Sequence, residues 1–393
     1  MKESKVALVR CAGYDAESLP PSLSFALDLI GGLGAFLKRG DRVFVKVNHL
    51  SPDSPPDEAI NTHPVFVREV LRLLASFDVD ITVGDDTNSG QGDRFLSSGY
   101  RQACADLRVR LINLKEAGFA EVLVQGKVLR RAYVARPVLE ANVLVNLPKL
   151  KTHSFTAFTG AVKNMFGVIP HGLRLDCHRR FVRSEVFSQM LVDLFSRVRP
   201  QLTIMDAVVA MEGEGPSAGV SRPVGLILAG RDAVAVDAVA TRIIGYDPLR
   251  VYTTSYAHQR GLGSGSLDRI EIVGADIKSV EVKDFRRSAV AIGLLQQRLP
   301  AFLYAYFQSQ LTLTPEVAAA KCTACLRCLD ICPAQAISLF RKAARVEEKK
   351  CIHCLCCHEV CRFQAVRLKQ RPLGKLMRTA SHFYNRVTSG ART

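Results

Sequence analysis

Asp41-Arg-Val-Phe-Val-Lys46-Val-Asn48, then Pro64 to Ser76 with apolar residues at helical spacing, then Asp80-Ile-Thr-Val-Gly-Asp85-Asp86, is the run that decides the fold. Its first and third pieces are near-continuous apolar strands, the pattern of strands covered on both faces. The middle piece opens with proline, whose missing N–H and fixed φ suit the first turn of a helix. Strand, helix, strand in that order predicts a parallel pair joined by a crossover.

Outward from there the alternation continues. Toward the N-terminus, 22–38 reads as an amphipathic helix containing Gly31, Gly32 and Gly34 and stopped by Gly40, with a strand at 6–10 before it. The Gly-Gly-Leu-Gly cluster lies inside a helical pattern rather than after a strand, so close helix packing is expected there, not a dinucleotide-binding turn. Toward the C-terminus come a turn and helix over 90–106, a strand at 110–114, a hairpin across 121–135 turning at Gly126, and a strand at 142–146. A helix near 184–197, strands at 202–208 and 224–230, a helix at 232–245, another helix after Asp247-Pro248 and a strand at 269–274 complete the pattern. The expected fold class is α/β, an open, mostly parallel sheet with helices on both faces, over residues 1–288. A linking or docking helix is expected at 289–315, and a small C-terminal bacterial-ferredoxin-like α+β domain at 316–370.

That second domain is read from cysteines. Cys322-Thr-Ala-Cys325-Leu-Arg-Cys328-Leu-Asp-Ile-Cys332-Pro333 is answered by Cys351-Ile-His-Cys354-Leu-Cys-Cys357-His-Glu-Val-Cys361. Thiolates at this spacing converge on one cubane face, with each fourth cysteine reaching across to the other cluster. Cys322, Cys325, Cys328 and Cys361 are therefore assigned to one 4Fe-4S cluster, and Cys351, Cys354, Cys357 and Cys332 to a second. Zinc knuckles or disulfides are the alternative, but zinc sites take ligands in two pairs rather than a triplet plus a distant fourth. Cys356 is read as a non-ligand, and Arg362 stands where a proline follows the first run.

Of twelve cysteines nine lie in these runs, and no apolar stretch has the length of a signal peptide or membrane span, so a reducing, cytoplasmic setting is expected. The net charge of +16 is concentrated at the end, where residues 289–393 carry 16 basic and 5 acidic residues. No aromatic-interleaved basic motif accompanies that charge, so nucleic acid is not expected as a partner. Residues 371–393 read as a basic amphipathic helix that packs on the protein's own surface or touches an anionic membrane face or a redox partner protein.

Polar residues recur where apolar strands end: Lys46 and Asn48, Asp85 and Asp86, Asn146 and Lys149, and Asp206 with Glu212 beyond. In an open parallel sheet those ends face one crevice, where such folds bind ligands; ordinary caps and turn residues are the alternative. The densest stretch, Asn146 to Pro170, sets Lys149, Lys151, His153 and Lys163 among small and hydroxyl residues. It predicts a helix N-terminus suited to a small anionic ligand, carboxylate or phosphate, with Lys163 and Asn164 carried to the same wall. His171, Arg174, His178 and Arg179 extend the basic rim, and a solvated basic face is the alternative.

This stretch, with Lys46-x-Asn48, Thr62-His63-Pro64, Gly84-Asp85-Asp86 and Asp232–Asp237, resembles the family called domain of unknown function 362 over about residues 5–275. Members often carry a C-terminal two-cluster ferredoxin module. The interval from His153 to Lys163, centred on Phe-Thr-Gly, also looks like the H-x9-K segment of nickel-pincer lactate racemases over about twenty residues, without their doubled glycine before the lysine. That likeness implies a lysine holding a nicotinate-derived cofactor and a histidine acting as acid and base.

The leading expectation is an iron–sulfur redox protein passing single electrons to or from an anionic ligand in the crevice. Lys149, Lys151 and Lys163 would hold the anion, His153, Asp85 or Asp206 would handle protons, and Lys46, Asn48, Asn146 and Asn164 would line the site. Two alternatives stand beside it: a non-enzymatic electron carrier or assembly module, and a cofactor-dependent isomerase of the racemase type.

Overall fold

Valine and phenylalanine alternate along residues 43–47, and the two sets enter different cores: Val43, Val45 and Val47 in one, Phe44 in the other. A strand built this way needs cover on both faces. The computed structural model describes residues 2–87, 95–288 and 312–369. The chain divides into two units, Met1–Ser288 and Ala289–Thr393. The helices expected at 289–315 and 371–393 lie, apart from 312–315, outside the described residues, as do residues 90–94 of the turn and helix expected at 90–106.

In the large unit the strands are β1 (Ser4–Arg10), β2 (Arg42–Val47), β3 (Asp80–Asp85), β4 (Val109–Asn113), a side hairpin of β5 (Phe119–Leu123) and β6 (Arg131–Ala135), β7 (Val143–Leu147), β8 (Lys149–His153), β9 (Ala157–Thr159), β10 (Leu202–Glu212), β11 (Val220–Gly230) and β12 (Ile270–Gly274). The main sheet is ordered β12-β1-β11-β10-β7-β2-β3-β4, with β8 and β9 branching from β10. Pairing is parallel from β10 through β7, β2 and β3 to β4, and antiparallel only where β11 meets β1 and β10 and in the β8–β9 hairpin. Helices Leu19–Asp28 and Pro64–Ala75 fill the core on one face; helices Ser184–Arg197 and Ala233–Ile243 fill the other. The expected α/β class, open, mostly parallel and covered on both faces, is what the chain forms.

Two local expectations fail. The helix expected over 22–38 ends at Asp28, because Gly31 and Gly32 adopt φ of 104° and 72°. The Gly32 N–H then bonds back to Leu27 O at 2.9 Å, closing the helix through a left-handed turn that glycine enters at little cost. The second failure is at Lys149–His153, a buried strand rather than a helix N-terminus. Its register with β9 is Lys151 to Thr159 and His153 to Ala157, and the helical turn begins only at Ala161 and ends at Asn164.

The small unit is built twice over. Strands β13 (Thr314–Val317) and β14 (Ile337–Phe340) flank a helical turn at Arg327–Asp330; β15 (Ala343–Val346) and β16 (Val366–Lys369) flank another at Cys356–Glu359. The halves interlock, since β13 pairs with β16 and β14 with β15, both antiparallel. Left-handed residues recur in step: Ala324, Leu326 and Gln335 in the first half, His353, Leu355 and Gln364 in the second.

Candidate functional site

At the carboxyl ends of the parallel strands, Lys46 of β2 is fully buried and its Nζ lies 2.8 Å from Asp85 Oδ2 at the end of β3. Burial pushes the Lys46 ammonium below its ordinary pKa, and the Asp85 carboxylate works against that shift. Lys46 also donates to Val47 O at 2.6 Å and reaches Asn164 Oδ1 at 3.5 Å. Asn164 donates to Asn146 Oδ1 at 2.7 Å and accepts from Asn48 Nδ2 at 3.3 Å. Asp85 accepts further from the N–H groups of His49 and Asp86. A Cβ at Gly167 would collide with both the Asp85 carboxylate and the Lys46 ammonium, so only glycine lets the backbone cover this pair so closely. Five of the predicted residues, Lys46, Asn48, Asp85, Asn146 and Asn164, therefore form one network.

At its edge Arg174 bonds Asp86 Oδ2 at 3.1 Å and Asp86 O at 2.8 Å. Burial raises the Asp86 carboxyl above its ordinary pKa, with Arg174 opposing the shift. Asp86 Oδ1, Asn48 Oδ1 and Arg174 Nε are buried with no hydrogen-bond partner. His178, one turn along the helix His171–Arg180, is packed 4.5 Å from the Phe187 ring, and burial lowers its pKa to about 3. Lys163 is its neighbour, half-buried on the turn Ala161–Asn164.

Lys149 and Asp206 make a second network. Their 2.8 Å ion pair has no exposed surface on either side chain. Tyr14 Oη accepts from Lys149 at 2.9 Å and donates to Asp206 Oδ1 at 2.8 Å, and the His63 backbone N–H donates to Asp206 Oδ2 at 3.0 Å. The His63 ring stacks on Tyr14 at 3.6 Å, with its Nδ1 accepting from Val65 N at the start of the helix Pro64–Ala75. Burial lowers the His63 pKa to about 4, so the ring is neutral near pH 7.

Lys151 and His153 lie further along β8. Lys151 Nζ donates to Ile60 O at 2.6 Å, and His153 Nδ1 accepts from the N–H groups of Phe155 and Thr156. Because 149–153 is a strand, these side chains are not gathered around a helix end. Lys46, Lys149 and Lys151 are thus each engaged by partners within the large unit.

Two residues outside the predicted set prove structurally central. Tyr14 sits in a loop with no periodic signal around it. Asp237 accepts from Ala161 N at 2.6 Å and Val162 N at 3.0 Å, pinning the turn that carries Lys163, and burial pushes its pKa up to about 7.

In the small unit the eight cysteines divide four and four. One concavity is lined by Cys322, Cys325, Cys328 and Cys361, the other by Cys332, Cys351, Cys354 and Cys357. The left-handed residues between the cysteines curl each run around its concavity. Backbone N–H groups point at sulfur: Ala336 to Cys332 at 3.2 Å, Ala365 to Cys361 at 3.3 Å, Ala344 to Cys322 and His353 to Cys351 at 3.4 Å. Cys356 is buried beside the second concavity.

Among the described residues no helix is long and apolar enough to cross a membrane. Residues 43–242 match the family model described as Domain of unknown function (DUF362), and residues 314–362 match that of the 4Fe-4S dicluster domain. The thylakoid-associated protein sll1697 of Synechocystis sp. is 33% identical over 259 residues, 65% of this chain and 79% of that protein. Two solved structures are more distant. The lactate racemase apoprotein from Thermoanaerobacterium thermosaccharolyticum gives a TM-score of 0.39 at 13% identity, covering 58% of this chain and 54% of the other. A protein from Thermotoga maritima gives 0.39 at 14%, covering 62% and 59%. The matched region takes in β2 through most of the helix Ala233–Ile243, with both buried lysine–carboxylate pairs, and the chain belongs to the DUF362 family, here joined to a C-terminal 4Fe-4S dicluster domain.

Proposed function

We propose that this protein is an iron–sulfur electron-transfer protein whose small unit holds two 4Fe-4S clusters and exchanges single electrons with an anionic ligand bound at the strand ends of the large unit. The observation that carries the reading is the crosswise division of the cysteines. Three from one run and the last from the other surround each concavity, as cubane ligation requires.

When bound, the clusters supply one-electron chemistry. The chain's own residues hold and tune them: eight thiols, with N–H groups directed at Cys322, Cys332, Cys351 and Cys361, which stabilise added negative charge on sulfur. In the large unit Lys163 and Arg174 flank the Lys46–Asp85 network and offer positive charge to an anionic group. His178, neutral near pH 7, and Asp86 lie beside them for proton handling. Lys149 and Asp206 hold the neighbouring backbone in place through Tyr14 and His63.

The test is anaerobic reconstitution followed by iron counting and stopped-flow reoxidation. About eight irons per chain are expected, with reoxidation accelerated by some member of a panel of small carboxylates and phosphate esters, and slowed when Lys163→Ala or Arg174→Ala is introduced. About four irons, or none, would sink the two-cluster reading. A second reading, an electron carrier whose large unit is a docking platform, is favoured by the internal partners of Lys46, Lys149 and Lys151. It predicts that no small molecule changes the reoxidation rate and that substitutions at Lys163 and His153 are silent.

A further inference from the structure

The two halves of the small unit repeat in sequence and backbone, but not in exposure. Leu355, in the left-handed position before the second half's helical turn, is 3% exposed and packs with Leu313 and Leu368. Leu326, in the equivalent position of the first half, is 42% exposed. The same holds for the cysteines beside them: Cys325 is exposed where Cys354 is buried. At the second concavity Leu355 and Cys354 are thus packed away, and at the first Leu326 and the thiol Cys325 face outward.

Charge marks the same end. The β14–β15 hairpin runs from the second concavity, which Ile337 and Val346 line, to the first, which Ala344 lines and where its N–H meets Cys322 Sγ. Its tip, Arg341 and Lys342, is therefore at the first concavity's end. There Phe340 is half exposed, with the guanidinium groups of Arg341 and Arg345 at 5.2 and 5.5 Å from its ring. Between Lys321 and Val346 the sequence holds five basic residues and one acid, Asp330. Among the described residues Arg341, Lys342 and Arg345 enter no ion pair within the protein. The walls of the second concavity carry no charged residue. Exposed Leu326 and Phe340, with Arg341, Lys342 and Arg345 at the hairpin end beside Phe340, have the composition of a docking face for an oppositely charged surface.

We propose that this face binds an acidic one-electron carrier protein, and that electrons enter or leave through the group held by Cys322, Cys325, Cys328 and Cys361. The proposal rests on the cluster reading above. In the step one electron crosses from the reduced carrier to that group, or the reverse; the donor is oxidised by one equivalent, the acceptor reduced by one, and no bond or proton moves. The cations steer the acidic partner and align it, while exposed Leu326 and Phe340 exclude water from the contact.

The experiment measures binding of the full-length reconstituted chain to two carriers, an acidic plant-type ferredoxin and basic cytochrome c, across a sodium chloride series. Iron content and visible absorption are read in parallel. The expected result is saturable binding of the acidic carrier, weakening steeply with salt, weaker by tenfold or more in the triple variant Arg341→Glu, Lys342→Glu, Arg345→Glu, and no binding of cytochrome c. Phe340→Ser should weaken binding without changing its salt dependence. Equal affinity for both carriers, an unaffected triple variant, or binding to anionic phosphatidylserine vesicles in place of the acidic carrier would overturn the docking proposal. Iron content that departs from the expected eight would instead overturn the cluster reading, so the two failures are told apart.

Discussion

The large and small units hold charge in opposite ways. Inside the large unit, Lys46, Lys149, Asp85 and Asp206 are buried among two extensive apolar cores, and each charge meets its opposite at 2.8 Å. Among the described residues the small unit buries, besides three cysteines and Pro315, only Leu313, Ala336, Ala344, Leu355, Ala365 and Val366 as apolar side chains. A unit of that size and core content cannot offset the chain entropy of folding through apolar burial alone. On the proposed reading, the clusters held in its two concavities would complete it. On that reading the large unit's order comes from packing, and the small unit's would come from its ligand.

The strongest way to break this comparison is to remove the iron. Chelation under reducing conditions in the full chain should abolish hydrogen-exchange protection across 314–369, because metal binding there is folding free energy. Amides of β2, β3 and β7 should keep theirs. If the small unit stays protected without iron, its core is sufficient and the contrast fails.

Within the large unit, the test is a half-removed pair. Lys149→Met leaves Asp206 buried without its cation and should cost about 3–5 kcal/mol in denaturant unfolding, as truncating one partner of a buried pair does. Lys149→Met with Asp206→Leu should recover much of that loss, since no charge is then stranded. A single variant as stable as the parent would mean that Tyr14 and the His63 N–H satisfy Asp206 unaided.

How much of this was written in the chain depends on the distance over which each feature is set. The β2–helix–β3 alternation and the cysteine spacing are local, and both could be read. So could the gathering of Lys46, Asp85 and Asn146, because each lies at or next to the carboxyl end of a strand. Which lysine meets which carboxylate could not be read. Lys149 and Asp206 are 57 residues apart and Tyr14 and Asp206 are 192 apart, and only the three-dimensional packing of β8, β10 and the loop after β1 brings them together. The strand at 149–153 had a usable signal, since Lys-Leu-Lys-Thr-His alternates partly with period two. The lysines and small residues there suggested an anion-binding helix end instead. Gly31 and Gly32 offered a similar choice between helix packing and a helix stop, settled by their positive φ.

A smaller effect comes with acid. His63 and His171 have pKa values lowered to about 4 and His178 to about 3, each mainly by burial. A histidine whose folded pKa is depressed gives stability that is present above its unfolded pKa of about 6.5 and lost as pH falls through the folded value. The large unit should therefore lose stability from about pH 6.5 down toward pH 3. For His178, about 5 kcal/mol rides on this, and His178→Phe should flatten that part of the curve when unfolding is followed at large-unit amides.

The smallest effect sharpens the comparison most, because it holds distance constant. Arg39 Nε lies 2.8 Å from Asp78 Oδ2, the same separation as Lys149 from Asp206, but those side chains are 87% and 74% exposed where Lys149 and Asp206 are 0%. In water the attraction is screened and both long side chains lose rotamer freedom to make it, so Arg39→Ala should shift the unfolding free energy by about 0.5 kcal/mol or less. Raising salt should leave that small difference smaller still. A loss at Arg39 comparable to that at Lys149 would show that pair distance governs stability here, and the contrast between buried and exposed charge would then have to be abandoned.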